Sequence, residues 1–338
     1  MKVWFDIMNT PQVHFLLSIK SMLDNGNEFI FTAREFSETA KLLKKNLDEP
    51  LETIGGHHGK KYIHKISGTL HRFLQVHHKK LDYDLSISNG SENAIWSSFL
   101  RRKKSIAFGD NDTARQWTYA LFCNYAFFPN AIDKSLLNKQ GLHDGKLYRY
   151  NGFKEDLYLA NYLPDPTFRE QLPFKNYVVV RPENIMANYI RNNEVKSITP
   201  ELLKLLNRKG FNILYLPRYE FDKNYATGIS NIYIPEDPIN GLDACYYSDA
   251  VLTGAGTFAR EAACLGVPSI SFFAGKTLLA VDQKMIQDDW MFFSRTPEEI
   301  LNYVLKSNKR EPDLNRSKEV YFEVKEKLLQ VIQTFEIS

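Results

Sequence analysis

The residues best placed to do chemistry in this chain fall where short apolar runs end. The sharpest group is Gly254-Ala255-Gly256-Thr257, between the apolar run Ala250–Leu252 and a segment of helical period. Two glycines at a strand-to-helix junction make a tight turn. The first amides of the following helix lack intrahelical partners and point toward whatever sits at that turn. Glycine admits a phosphate close to those amides, and the helix dipole favours its charge. The chemistry implied is binding of a phosphorylated ligand, with Glu261 about one turn further along to accept from ribose hydroxyls. A plain glycine turn in an α/β domain is the alternative, and one glycine motif does not separate the two. Arg181 and Arg218 follow the apolar runs Tyr177–Val180 and Phe211–Leu216, where a guanidinium forks onto a diphosphate or simply pairs at the surface.

The first half holds a second group, Asp110-Asn111-Asp112-Thr113-Ala114-Arg115, directly after the run Ser105–Phe108. Two carboxylates and a guanidinium at a strand end suit acid–base work. Helix capping by Asp112 or Thr113 is the competing explanation, and it leaves Asp110 and Arg115 without a role. The first loop runs from Asp6 through Asn9, Pro11 and Gln12 to His14, and places His14 in the first turn of a helix. A helix N-terminus favours neutral imidazole, the form a base requires; an ordinary surface histidine is the other reading. Gly55-Gly56-His57-His58-Gly59-Lys60-Lys61 has the composition of a mobile loop able to close over an anion, or of a flexible surface loop. Its histidines lack a third ligand at usable spacing, so no metal is expected. No cofactor is expected either.

These groups are positioned by a regular alternation. Val3–Ile7, Phe29–Thr32, Leu85–Ser88 and Ser105–Phe108 are strand candidates, separated by helical periods over Pro11–Leu23, Ser37–Lys45, Ile66–Leu81 and Glu92–Leu100. Helical period returns over Thr113–Ala126; the aromatic-rich run Trp117–Phe128 is expected to be a buried helix passing into a strand rather than a membrane-facing patch. The pattern lapses over 152–176, where Pro164, Pro166 and Pro173 fall, and then resumes. Strands at Tyr177–Val180, Phe211–Leu216, Ala250–Leu252 and Ser269–Phe273 alternate with helices, one opening with Thr199 as cap and another with a capping box from Thr296. Asp313–Phe335 reads as a final amphipathic helix. Such alternation predicts parallel sheets covered on both faces, with ligands at the carboxyl ends of the strands. The expected division is a first domain over 1–152 carrying the acceptor and catalytic side, a linker over 153–176, a nucleotide-binding domain over 177–312, and a helix over 313–338 returning to the first domain.

The bulk composition narrows the partners. The chain has 338 residues, 43 basic against 40 acidic side chains and a net charge of +3, which leaves no electrostatic case for nucleic acid. Cys123, Cys245 and Cys264 sit in apolar stretches without CxxC spacing and read as reduced core residues of a cytoplasmic protein. The first residues do not read as a signal peptide, and no apolar run reaches the roughly 18 residues of a membrane span. A homo-oligomer is compatible with all of this.

Across nearly its whole length the chain resembles the GT-B superfamily, especially the non-hydrolysing UDP-N-acetylglucosamine 2-epimerases. Within that group it is most similar to an uncharacterised prokaryotic family known only as a domain of unknown function. The residues that carry the likeness are Asp82 to Gly90, Phe108-Gly109-Asp110-Asn111-Asp112, Arg115 to Pro129, Val180-Arg181-Pro182-Glu183-Asn184 and Glu261 to Pro268. Asp110 stands where the epimerases carry a catalytic glutamate. Arg181 and Glu183 fall in a motif that meets the nucleotide, and Glu261 matches the glutamate that holds the ribose. The epimerase serine–glycine–glycine turn appears as Ala255-Gly256-Thr257. The Glu261–Pro268 stretch also resembles the lipid II-forming N-acetylglucosaminyltransferase, which carries a histidine near the position of His14. The resemblance implies a GT-B fold of two doubly wound Rossmann-like domains with an interdomain cleft. It implies a UDP-type nucleotide sugar as ligand and glycosyl transfer as the reaction, with epimerisation or plain binding as alternatives. Gly254, Ala255, Gly256, Thr257, Arg181, Glu183, Arg218 and Glu261 would hold the nucleotide, and Asp110, Asp112, His14 and Arg115 would serve catalysis.

Overall fold

The computed structural model describes residues 1–34, 39–55, 62–185 and 195–337. The chain divides into two compact units, Met1–Ala160 with Ser317–Ser338, and Asn161–Arg316. Each is an α/β unit built on one parallel sheet.

The first sheet contains β1 (Lys2–Ile7), β2 (Glu28–Ala33), β3 (Leu51–Thr53), β4 (Leu85–Ser88), β5 (Lys104–Phe108), β6 (Tyr125–Pro129) and β7 (Leu147–Tyr150). Their spatial order is β3-β2-β1-β4-β5-β6-β7. In β1 both faces are covered, so Val3, Trp4, Phe5 and Ile7 are all buried in one unbroken run. Neighbouring strands bring rings together: Phe5 stacks on Phe31 of β2 at 5.2 Å and Phe108 on Phe127 of β6 at 4.8 Å between centroids. The last helix, Leu314–Ile337, joins this unit. Ser317 donates to Asp156 at 2.8 Å, and Tyr148 donates to Glu323 at 2.8 Å.

The second sheet contains β8 (Val178–Arg181), β9 (Ile213–Tyr215), β10 (Ile232–Tyr233), β11 (Ala250–Thr253), β12 (Ser269–Ser271) and β13 (Met291–Phe293), in the order β10-β9-β8-β11-β12-β13. Val178, Val180, Leu252 and Ile270 pack under Leu202, Leu206 and Ile300 of the covering helices. Two expected caps take another form. Ile198, not Thr199, precedes the helix Thr199–Arg208, and the Glu183 carboxylate accepts its amide at 3.0 Å. Thr296 makes no side-chain cap; Ser294 instead accepts the Thr296 amide and donates to Glu299.

In both sheets the chain winds outward from the first strand, then returns to its other side. The order therefore reverses between β1 and β4, and again between β8 and β11. Crevices for ligands open at the carboxyl ends of strands at such reversals. The three cysteines are buried and none is in a disulfide. No helix of the described residues is long and apolar enough to cross a membrane.

Candidate functional site

At the reversal in the second sheet, Thr253 of β11 lies in register with Arg181 of β8, and the Gly254 amide donates to the Arg181 carbonyl at 3.1 Å. The glycine turn and the loop after β8 are thus neighbours. Thr253 Oγ1 accepts the Ala255 amide at 2.9 Å and fixes the turn. The helix Gly256–Cys264 then begins, with Ala255 as an N-cap residue that supplies no side-chain bond. The two glycines serve different ends. A Cβ on Gly254 would lie 2.5 Å from the Glu183 Cα, so this glycine lets two backbones touch. A Cβ on Gly256 would meet first the tip of a side chain, Arg260 Nη1 at 3.1 Å. The Asp282 carboxylate follows at 3.6 Å, so the absent side chain of Gly256 leaves the helix start close against the buried Arg260–Asp282 pair.

Charge gathers on the same spot. The Arg181 guanidinium lies 5.6 Å from the ring centre of Phe258, in the first turn of that helix. Burial, then the negative charge of Glu261, push the Cys245 thiol well above its ordinary 9.0, while Arg181 pulls it down. Arg218 donates from Nε to the Pro182 carbonyl at 3.1 Å, which sets its side chain on the loop after β8. Thr257 is half-buried, with its hydroxyl 3.3 Å from Arg260 Nη2.

Glu183, expected to meet the nucleotide, is turned inward. Its carboxylate accepts from the Ser197 and Thr199 hydroxyls and the Ile198 amide, and faces Arg295 at 3.2 Å. It holds the start of a helix, and no exposed oxygen remains for a ligand on a side chain only 1% exposed. Sequence reasoning passed over Arg260. It is buried against Asp282 at 2.7 Å, a partner 22 residues away that no local pattern announces.

In the first unit, His14 is the second residue of the helix Val13–Met22. The residue is exposed as a whole, yet desolvation by the surrounding atoms holds its pKa below the ordinary 6.5. The Tyr158 ring lies 6.2 Å away. Asp110, after β5, accepts from Lys154 Nζ at 2.6 Å, in a pair with little solvent exposure. Lys154 and Tyr158 are one turn apart on the helix Lys154–Leu159, so one helix face addresses both Asp110 and His14. Lys154 was invisible in the sequence, 44 residues from its partner and inside the expected linker.

The capping explanation for Asp112 fails. The helix there runs only over Trp117–Ala120, with Gln116 at its N-cap position. Asn111 instead closes the local turn, accepting from the Thr113 amide at 2.9 Å and its hydroxyl at 2.7 Å. Asp112 is half-buried and Arg115 exposed. Asp6 is structural: Arg72 grips both its oxygens, at 2.9 and 2.6 Å, and Thr32 and Ser91 also donate to it. Of the loop 55–61, residues 56–61 lie outside the described residues.

Comparison with known proteins gives the arrangement a context. An uncharacterized protein of Methanocaldococcus jannaschii is 27% identical over 327 residues, which is 89% of this chain and 90% of that protein. Among solved structures, the UDP-GlcNAc 2-epimerase of Methanocaldococcus jannaschii, in complex with UDP-GlcNAc and UDP, superposes with a TM-score of 0.70 at 15% identity. It covers 98% of this chain and 99% of its own. A glycosyltransferase of kitacinnamycin superposes at 0.61 and 8% identity, covering 99% and 98%. These likenesses establish a GT-B fold with two Rossmann-like units. The family described as "Protein of unknown function (DUF354)" matches residues 1–331, and the chain belongs to it.

Proposed function

We propose that this protein is a GT-B enzyme acting on a UDP-activated sugar, by glycosyl transfer. The observation that carries the reading is the meeting of Arg181 with the glycine helix start at Gly256 where the second sheet reverses, with Glu261 further along the same helix. The turn Gly254-Ala255-Gly256 and the Thr257 amide hold the diphosphate, Arg181 and Arg218 offset its charge, and Glu261 receives the ribose hydroxyls. As the bond from the anomeric carbon to the diphosphate breaks, negative charge grows on the departing UDP. Amides and guanidinium groups already in place stabilise it most in that state. An acceptor hydroxyl attacks the anomeric carbon and gives its proton to a base of the first unit. His14 suits that role, being accessible and kept neutral by desolvation. Asp110, already bonded to Lys154, and Asp112 and Arg115 beside it orient the acceptor.

Epimerisation is the second reading, supported by the fold likeness to the 2-epimerases. Two points favour transfer. Asp110 is shorter than the epimerase glutamate and one oxygen is taken by Lys154. Methanocaldococcus jannaschii carries both a 2-epimerase of this fold and a relative of this chain, which favours a separate reaction for the family. The test is incubation with a panel of UDP-sugars in deuterated water, with and without cell-derived acceptors. Acceptor-dependent UDP release supports transfer, and deuterium at the sugar C2 without UDP release supports epimerisation. Nucleotide binding with neither leaves a binding protein.

A further inference from the structure

Six large apolar side chains of the first unit stand exposed on three successive helical segments. Leu70 and Leu74 lie on the helix Tyr62–His78, Phe99 and Leu100 end the helix Glu92–Leu100, and Trp117 and Leu121 flank the turn of helix Trp117–Ala120. Each is between 43% and 74% exposed. The segments are neighbours. Phe73 meets Trp96 edge-on at 5.8 Å, Trp96 Nε1 donates to the Thr118 carbonyl at 2.8 Å, and Phe99 meets Phe122 at 5.0 Å. The rings beneath are packed, while about half or more of each outer leucine except Leu74, and of Trp117, faces solvent. A group of this size on one face is more than scattered surface leucines.

Cations and carboxylates both border this face: Lys79 pairs with Glu52 at 2.6 Å and Lys103 with Asp84 at 3.6 Å, while Lys80 and Arg102 stand exposed. Arg101-Arg102-Lys103-Lys104 follow Leu100 directly, and Lys79-Lys80 follow the helix that carries Leu70 and Leu74. His71, His78, Lys80, Arg102 and Arg115 are exposed around the apolar residues. Lys80 and Arg102 have φ of 49° and 55°, a conformation in which asparagine or glycine would be more comfortable. An apolar face carrying an exposed tryptophan and edged with lysine and arginine has the composition of a surface that lies on anionic lipid. A second copy of the chain is a poorer occupant, because an isologous contact brings like charges near one another.

From this combination we infer that the face formed by Leu70, Leu74, Phe99, Leu100, Trp117 and Leu121 docks on an anionic phospholipid surface, with the exposed Lys80 and Arg102 cations against the headgroups. The inference is independent of the nucleotide site. The test is co-sedimentation of the full chain with vesicles of phosphatidylcholine alone and with about 30% phosphatidylglycerol, since anionic headgroups attract each nearby cation. Binding should require phosphatidylglycerol and weaken with salt. The pair Leu100→Ser and Leu121→Ser should weaken it at least about tenfold. The pair Lys80→Asn and Arg102→Asn, which suits the backbone at both positions, should weaken it by about tenfold or more. Unchanged circular dichroism and melting temperature keep these variants interpretable. The inference is overturned if the folded wild type binds neither vesicle, if it binds both equally, or if light scattering shows a dimer that the two serines dissociate.

Discussion

Gly254 and Gly256 stand two residues apart, and replacing each by alanine should produce opposite effects. At Gly254 the new methyl would sit 2.5 Å from the Glu183 Cα and 2.6 Å from its Cγ, and neither is free to swing away. Ordinary carbon contact needs about 1 Å more, and forcing extra volume into a packed site costs about 1–3 kcal/mol. The displaced loop also carries the carboxylate that holds Ile198, Ser197 and Thr199, so part of about another 1 kcal/mol of hydrogen bonding is lost. Gly254→Ala should therefore destabilise by about 2–4 kcal/mol and lower the melting temperature by about 5–12 °C. At Gly256 the methyl meets side-chain tips, Arg260 Nη1 at 3.1 Å and the Asp282 carboxylate at 3.6 Å, and alanine is the better helix former. Gly256→Ala should change stability by less than about 1 kcal/mol, yet weaken UDP about tenfold or more by filling the approach to the amides. Thermal melts by circular dichroism and calorimetric UDP titration of both variants decide the matter. A Gly256→Ala protein that binds UDP like wild type, or a Gly254→Ala protein that melts like wild type, would refute this division of labour.

Three further outcomes are expected. Glu183→Ala should cost about 2–3 kcal/mol in a urea melt, because Arg295 and the helix start lose their carboxylate; a loss within error would show that the inward-facing contacts contribute little. Burial alone would raise the Asp6 pKa, but the Arg72 charge and the bonds from Arg72, Ser91 and Thr32 hold it below 3.8. Its stabilisation is thus complete above pH 3.8 and lost as pH falls through the lower folded value, so Asp6→Asn should flatten the acid limb of stability against pH. With His14 as base, the rate should hold down to pH 6.5 and fall below it as the imidazole charges, and His14→Gln should remove that limb; an unchanged profile would move the role to Asp110.

The parallel architecture was legible because buried strands contain apolar runs such as Val3–Phe5 and Ala250–Leu252, and the last helix because its period persists to Phe335. Edge strands were not: β3, β10 and β13 have two or three residues each, too few to show a pattern. Helical period over Thr113–Ala126 misled in part, since only Trp117–Ala120 is helical and Tyr125 already belongs to β6. The glycine turn and Arg181 could be found because each ends a strand. What determines their use is long-range: Glu183 held by Arg295, Asp110 by Lys154 and Arg260 by Asp282 are partnerships set by the crossing of elements, which local composition does not encode. The exposed leucines and Trp117 were hidden for a related reason, since the run Trp117–Phe128 contains both core rings and surface ones.

The central claim is that a nucleoside diphosphate sits on the helix start at Gly256, and a crystal structure with UDP at saturating concentration tests it most directly. The account predicts diphosphate oxygens within about 3 Å of the amides of Gly256 and Thr257, with Arg181 alongside and a ribose hydroxyl on Glu261. UDP bound away from the Gly254-Ala255-Gly256 turn, or a turn left empty at saturation, would contradict it.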